Sequence, residues 1–227
     1  MADRGVATDL VVPVKELARA KTRLAAASAA VSPTDPHITH ADLALALATD
    51  TLAAVLASSV RRLAVVTSEP RLRAGHPPPV VGTDPRVELV RDPGRGLDAA
   101  IRAGIEHLGP IPVGVLLADL PALRPEELDE ALTAARSALR HAPAAFVADH
   151  TGEGTSLLVA TPGFAPRFGP FSAAAHAAAG AVALTGEWPG LRHDVDVPAD
   201  LDEVRALGVG PATRAWPRPE VLTAGCR

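Results

Sequence analysis

Apolar residues in this chain fall into short continuous runs separated by longer amphipathic or alanine-rich stretches. Runs of four to eight apolar residues bounded by turn formers read as buried strands, and longer stretches of helix formers read as helices. Strands are predicted over 8–14, 63–67, 87–90, 113–117, 144–148 and 156–160. Helices are predicted over 24–30, 42–57, 97–108, 125–139, 172–180 and 198–207. Residues 42–57 have apolar side chains on most faces, which predicts a helix buried on more than one side. Pro125 followed by Glu126 and Glu127 is an expected helix start, because proline fits the first turn and carboxylates complement the N-terminal dipole. The stretch from Glu69 to Pro85 is rich in proline and glycine and predicts a surface connection.

Strands alternating with helices predict an α/β fold: a single Rossmann-like domain with a mainly parallel mixed sheet flanked by helices. With 227 residues and no internal repeat or linker, the expectation is one domain over 1–210. Residues 211–227 lack periodicity and are expected to form a tail that is partly disordered.

Composition narrows the function. The only cysteine, Cys226, lies one residue from the end, so no intrachain disulfide is expected and a reducing cytoplasm is the expected compartment. No apolar run approaches the ~20 residues of a membrane span, and the N-terminus has no leader pattern. A net charge of −4 and 3% aromatic residues argue against nucleic-acid and membrane partners. Of 22 cationic side chains only Lys15 and Lys21 are lysines, and they are six positions apart. In an arginine-biased chain, that pairing suggests a demand for compact point charges in one loop.

In open α/β sheets, ligands bind outside the carboxyl ends of the strands. Three polar segments fall there. Pro13-Val14-Lys15 and Ala20-Lys21-Thr22-Arg23-Leu24 offer three cations and a hydroxyl suited to a triphosphate, or make a solvated basic loop. Asp119, directly after an apolar strand and ahead of Pro121, suits a Mg²⁺ ligand or a turn-forming carboxylate. In His193-Asp194-Val195-Asp196, alternation puts both carboxylates on one side of an extended segment, where a cation offsets their repulsion. His193 is left out of the metal set, because imidazole suits softer ions. Two further segments are candidate anion contacts: the turn at 151–156, and Phe168-Gly169-Pro170-Phe171-Ser172, which ends at an expected helix start. Each is also an ordinary turn or cap. Walker-type, serine-hydrolase and zinc motifs do not occur.

These segments together resemble the guanylyltransferases of coenzyme F420 biosynthesis. The matching residues are Pro13-Val14-Lys15, Ala20-Lys21-Thr22-Arg23-Leu24-Ala25 and Ala118-Asp119-Leu120-Pro121-Ala122-Leu123. Gly152-x-Gly154-Thr155, Phe168-Gly169-Pro170-x-Ser172 followed by His176, and Leu191-x-x-Asp194-Val195-Asp196 continue the match in order, so it spans residues 8–207. The resemblance implies a GT-A-type nucleotidyltransferase fold and reaction of GTP with phosphoenolpyruvate or 2-phospho-L-lactate, releasing diphosphate. It implies a product that a downstream transferase passes to the deazaflavin precursor. By the same resemblance Asp119, Asp194 and Asp196 hold Mg²⁺, while Thr155, Gly169 and Ser172 bind the phosphorylated acid. Lys15, Lys21 and Arg23 lie in its phosphate-binding segment. Two positions depart from the family pattern: Asp98 stands where asparagine is frequent, and Glu153 where a small or hydroxyl residue is frequent. The competing readings are a nucleotidyltransferase for a sugar phosphate or molybdopterin, and a non-catalytic GTP-binding module.

Overall fold

A computed structural model describes residues 8–17, 39–72 and 84–216. The predicted helix at 24–30 lies outside them.

Among the described residues, seven strands form one sheet: β1 (Asp9–Val14), β2 (Leu63–Thr67), β3 (Val87–Arg91), β4 (Val113–Leu116), β5 (Ala144–Ala148), β6 (Thr155–Ala160) and β7 (Val182–Ala183). Their order is β3-β2-β1-β4-β6-β5-β7. Every contact among the strands is parallel except those of β6, which runs antiparallel to both β4 and β5. The expected mainly parallel mixed sheet is therefore present, with one reversed strand near its middle.

Among the described residues, seven helices accompany the sheet: α1 (His40–Ala57), α2 (Leu97–Leu108), α3 (Pro125–Ala138), α4 (Ser172–Ala178), α5 (Pro189–Arg192), α6 (Pro198–Leu207) and α7 (Pro211–Ala215). A 3-10 turn, Pro70–Leu72, lies in the predicted surface connection after β2. Strand residues divide between the faces with a period of two. Leu10, Val12, Leu63, Val65, Leu157 and Val159 pack under α1 and α3, whereas Val11, Ala64, Val66, Val115 and Leu158 pack under α2. Both faces are buried, which explains why the strands read as unbroken apolar runs rather than alternating ones.

Helix α1 begins two residues before the predicted start, where Thr39 and Asp42 form a reciprocal cap. By length and mean hydropathy (1.3) it alone among the described residues matches a membrane span, yet half of it is buried inside the fold. Ala44, Ala48, Leu52 and Val55 face the sheet, while Leu43 and Leu47 meet Leu201, Val204, Val209 and Trp216. That second contact takes in residues at the start of the expected tail. The chain beyond residue 210 continues as α7, with Trp216 buried beyond it. Residues 217–227 lie outside the described set.

Not every aspartate at a strand end is chemical. Asp9 opens β1 at the edge opposite the site and is fully buried. Arg61 grips it through Nε and Nη2 at 2.7 and 2.9 Å, a bidentate ion pair that satisfies the buried carboxylate.

Candidate active site

The sheet topology brings the polar segments to one edge. Strands β1, β4 and β5 end there, and β6, running the other way, starts there. Lys15 therefore follows β1, Asp119 follows β4, His150 follows β5 and Thr155 opens β6 along a common rim. The sheet ladder extends past β4 through Leu117 N, which donates to Ser156 O at 3.2 Å, so Asp119 follows one strand and Thr155 opens its neighbour.

Asp119, Asp194 and Asp196 converge: one carboxylate oxygen of each lies within 4.8 Å of the others. Asp119 and Asp194 are half-buried and Asp196 is exposed. The backbone explains the meeting. Val195 N donates to Asp119 O at 3.1 Å, so the extended 193–197 segment lies along the loop that follows β4. Val195 itself is fully buried, and its neighbours Asp194 and Asp196 are left to point the other way. Short helix α5 supplies the anchor. Gly190 N donates to Glu127 Oε1 at 3.3 Å, Trp188 Nε1 donates to Glu130 Oε2 at 3.1 Å, and His150 N donates to Arg192 O at 2.8 Å. Arg192 also donates to three carbonyls, those of Ala148, Leu184 and Gly186.

Three anionic oxygens this close repel one another, and a hard divalent cation is the natural means of holding them together. The donor set is all oxygen, which fits a hard cation and not a soft one.

Two imidazoles flank the cluster. His150 and His193 stack with centroids 4.1 Å apart and planes 5° from parallel. His150 Nδ1 is 3.4 Å from Asp194 Oδ1, and His193 Nε2 is 2.9 Å from Glu203 Oε2. His193 is thus a neighbour of the cluster and not a member. His150 was not singled out from the sequence; its place two residues beyond the apolar strand β5 is the signal that marks it.

The second group lies around Thr155. Its hydroxyl is 3.0 Å from His176 Nδ1, and His176 Nε2 accepts from Arg167 N at 3.0 Å. His176 is fully buried, and burial pushes its pKa down to about 4, with Arg167 adding to the effect and Asp98 opposing it. Ser172 N donates to Gly169 O at 3.2 Å and Phe168 N to Asp98 Oδ1 at 3.3 Å. The structure therefore gathers Thr155, Ser172 and the 167–169 segment around one buried ring. Asp98, the departure from the family pattern, anchors that segment.

Within the turn at 151–156, the Thr151 hydroxyl and the Gly154 N–H already have a partner. Asp149 already uses them: its carboxylate accepts from Thr151 Oγ1 at 2.7 Å and Gly154 N at 2.8 Å. A Cβ at Gly154 would run into that carboxylate, which explains the glycine. The other departure, Glu153, is exposed, and its backbone oxygen receives Ala173 N at 3.0 Å. Any residue supplies that carbonyl. Ser172 opens α4 but does not cap it; the cap position is Phe171, an exposed phenylalanine with φ of 57°.

Lys15 is exposed at the end of β1, and the loop beyond it is tied down by Leu17 N donating to buried Glu69 at 2.9 Å. Lys21 and Arg23 lie outside the described residues.

Residues 45–188, more than half the chain, match the MobA-like NTP transferase domain. Solved structures share the fold. A nucleotidyl transferase from Methanothermobacter thermautotrophicus superposes with a TM-score of 0.58 over 89% of this chain and 97% of its own, at 18% identity. The 4-diphosphocytidyl-2C-methyl-D-erythritol synthase of Anaerococcus prevotii gives 0.51 over 88% and 95%, at 11% identity. Fold and domain thus define a nucleotidyltransferase with the expected GT-A-type architecture. Curated relatives narrow it further. A phosphoenolpyruvate guanylyltransferase from Geodermatophilus obscurus is 47% identical over 92% of this chain and 93% of its own. Another from Salinispora arenicola is 45% identical over 95% and 96%. The chain belongs to the phosphoenolpyruvate guanylyltransferase family.

Proposed function

We propose that this chain joins GTP to phosphoenolpyruvate, giving enolpyruvyl-2-diphospho-5′-guanosine and diphosphate, as a step in coenzyme F420 biosynthesis in the cytoplasm. The observation that carries the reading is the convergence of Asp119, Asp194 and Asp196 at the rim where an open α/β sheet binds ligands. The relatives' shared name supports the choice of both substrates.

A phosphate oxygen of the acid attacks the α-phosphorus of GTP. A new P–O bond forms there as the bond to the bridging oxygen of the β-phosphate breaks, and diphosphate leaves with that electron pair. A phosphate monoester is already anionic at neutral pH, so no side chain needs to act as a base. The main obstacle is repulsion between two anions. Asp119, Asp194 and Asp196 would hold Mg²⁺, which screens that repulsion and draws charge toward the phosphoryl oxygens when bound. Lys15, Lys21 and Arg23 stabilise charge on the triphosphate. Thr155, Gly169 and Ser172 bind the acid.

The test is diphosphate release from GTP and Mg²⁺, with phosphoenolpyruvate and 2-phospho-L-lactate supplied separately and the product coupled to the downstream transferase. Release with phosphoenolpyruvate alone supports the reading. Release only with 2-phospho-L-lactate changes the acid. No release with either, from folded protein that binds GTP, leaves a different acceptor or a binding module.

A further inference from the structure

Thr155 Oγ1 and His176 Nδ1 are 3.0 Å apart, a separation that leaves open which atom donates. The other side of the ring decides it. His176 Nε2 faces the backbone N–H of Arg167 at 3.0 Å, and a peptide N–H can only donate. Nε2 is therefore an acceptor without a proton.

The ring is also neutral. It has no exposed surface and is packed among Phe146, Phe168 and Phe164, with centroids 6.0, 5.2 and 6.3 Å away. Burial in such surroundings disfavours the imidazolium. A neutral imidazole with a bare Nε2 carries its proton on Nδ1, and Nδ1–H donates to Thr155 Oγ1. The threonine oxygen is thereby made an acceptor toward the protein, and its own proton is left for another partner. The opposite arrangement, with Thr155 donating, requires a proton on Nε2 pointing at the Arg167 N–H. Two donors would then face each other inside a core, where an unsatisfied polar group is costly.

We infer that His176 is a positioning residue: through a single tautomer it fixes the Thr155 hydroxyl as a donor toward an anionic oxygen of the phosphorylated acid. The inference rests on the reading that Thr155 contacts that acid. The same ring reaches the other half of the acid site, because the Arg167 N–H it receives begins the 167–172 segment bearing Gly169 and Ser172. One buried imidazole thus sets both the direction of the Thr155 hydroxyl and the seat of the loop opposite it.

The tautomer is read directly, on the unsubstituted full chain, by long-range ¹H–¹⁵N correlation of labelled histidines. A protonated Nδ1 and a bare Nε2 at neutral pH are expected for His176; a protonated Nε2, or an imidazolium, overturns the inference. Kinetics with phosphoenolpyruvate and GTP supply the second arm. Thr155→Val should raise KM for the acid about tenfold, the scale of one hydrogen bond to a charged group, with KM for GTP unchanged. His176→Leu should reproduce that rise, the double variant should be no worse than either, and His176→Asn, whose amide restores a donor near the Nδ1 position, should recover part of it. A normal KM for the acid in folded His176→Leu, beside a raised one in Thr155→Val, overturns the positioning role. An unchanged KM in Thr155→Val instead removes the acid contact, a failure of the underlying reading that the tautomer result identifies separately.

Discussion

His150 lies flat against His193, ring centroids 4.1 Å apart, with its Nδ1 3.4 Å from the Asp194 carboxylate. The stack limits how the His150 ring can turn, and the ring limits how Asp194 can turn. Groups that orient metal-binding side chains commonly change metal affinity 10–100-fold when removed. His150→Phe retains a stackable ring without the donor, whereas His150→Asn retains a donor near the Nδ1 position without the ring. Mn²⁺ titration followed by electron paramagnetic resonance should show affinity about tenfold weaker in His150→Phe and closer to normal in His150→Asn. Equal affinities in all three proteins would detach His150 from the cluster.

Replacing Asp194 by Asn removes one of three converging anions while nearly preserving shape. Turnover is expected to disappear and the melting temperature to hold or rise, since like charges no longer crowd one another. Full activity in this variant would take Asp194 out of the proposed metal site.

Gly190 is a remote control point for the same cluster. A Cβ there would strike the Ala122 carbonyl and the Glu127 carboxylate, so Gly190→Ala must push α5 away from α3. A cost of about 1–3 kcal/mol is expected, as for other overpacked sites. Because α5 leads directly into His193–Asp196, metal affinity should fall with stability. Loss of stability at constant metal affinity would show that the segment is held independently of α5.

Asp50, buried in α1, accepts from Ala212 N at 3.0 Å and Thr213 N at 2.7 Å. It caps α7 across more than 160 residues of sequence. Asp50→Ala strands two N–H groups and should cost about 1–3 kcal/mol in urea unfolding. Hydrogen exchange should speed up at 211–216 before it does in the sheet. Uniform exchange across the molecule would contradict local docking by Asp50.

His176 also gives stability a pH dependence of definite sign. Its pKa is about 4 in the fold against 6.5 for an ordinary histidine. Between those values the unfolded chain binds the extra proton, so its contribution is intact above pH 6.5 and is lost progressively as pH falls to about 4. His176→Asn should flatten the stability profile in that window, by up to about 1.4 kcal/mol per pH unit. An identical slope would mean that His176 is not held neutral by burial.

The sequence by itself determined the central elements. β1, β2, β4 and β5 are unbroken apolar runs because both faces of the sheet are covered, and α3 and α6 carry their own starting prolines. It also placed Lys15 and Asp119 at strand ends and put Asp194 and Asp196 on one side of an extended segment, since these are local consequences of alternation. Tertiary structure decided the rest, wherever the stabilising partner is distant in the chain. β7 is two residues long and exists by pairing with β5; α7 is five residues long and exists by docking on Asp50 and the outer face of α1. Elements so short lack the local hydrogen bonds to persist alone, so no local pattern announces them. The Thr151 hydroxyl and the Gly154 N–H looked available in sequence and are consumed by Asp149, because side-chain bonds within a turn depend on its exact path. Closure of the aspartate cluster, the His150–His193 stack and the single tautomer of His176 all join residues from different strands and loops. Only the order of strands, with β6 reversed beside β4, brings them within reach.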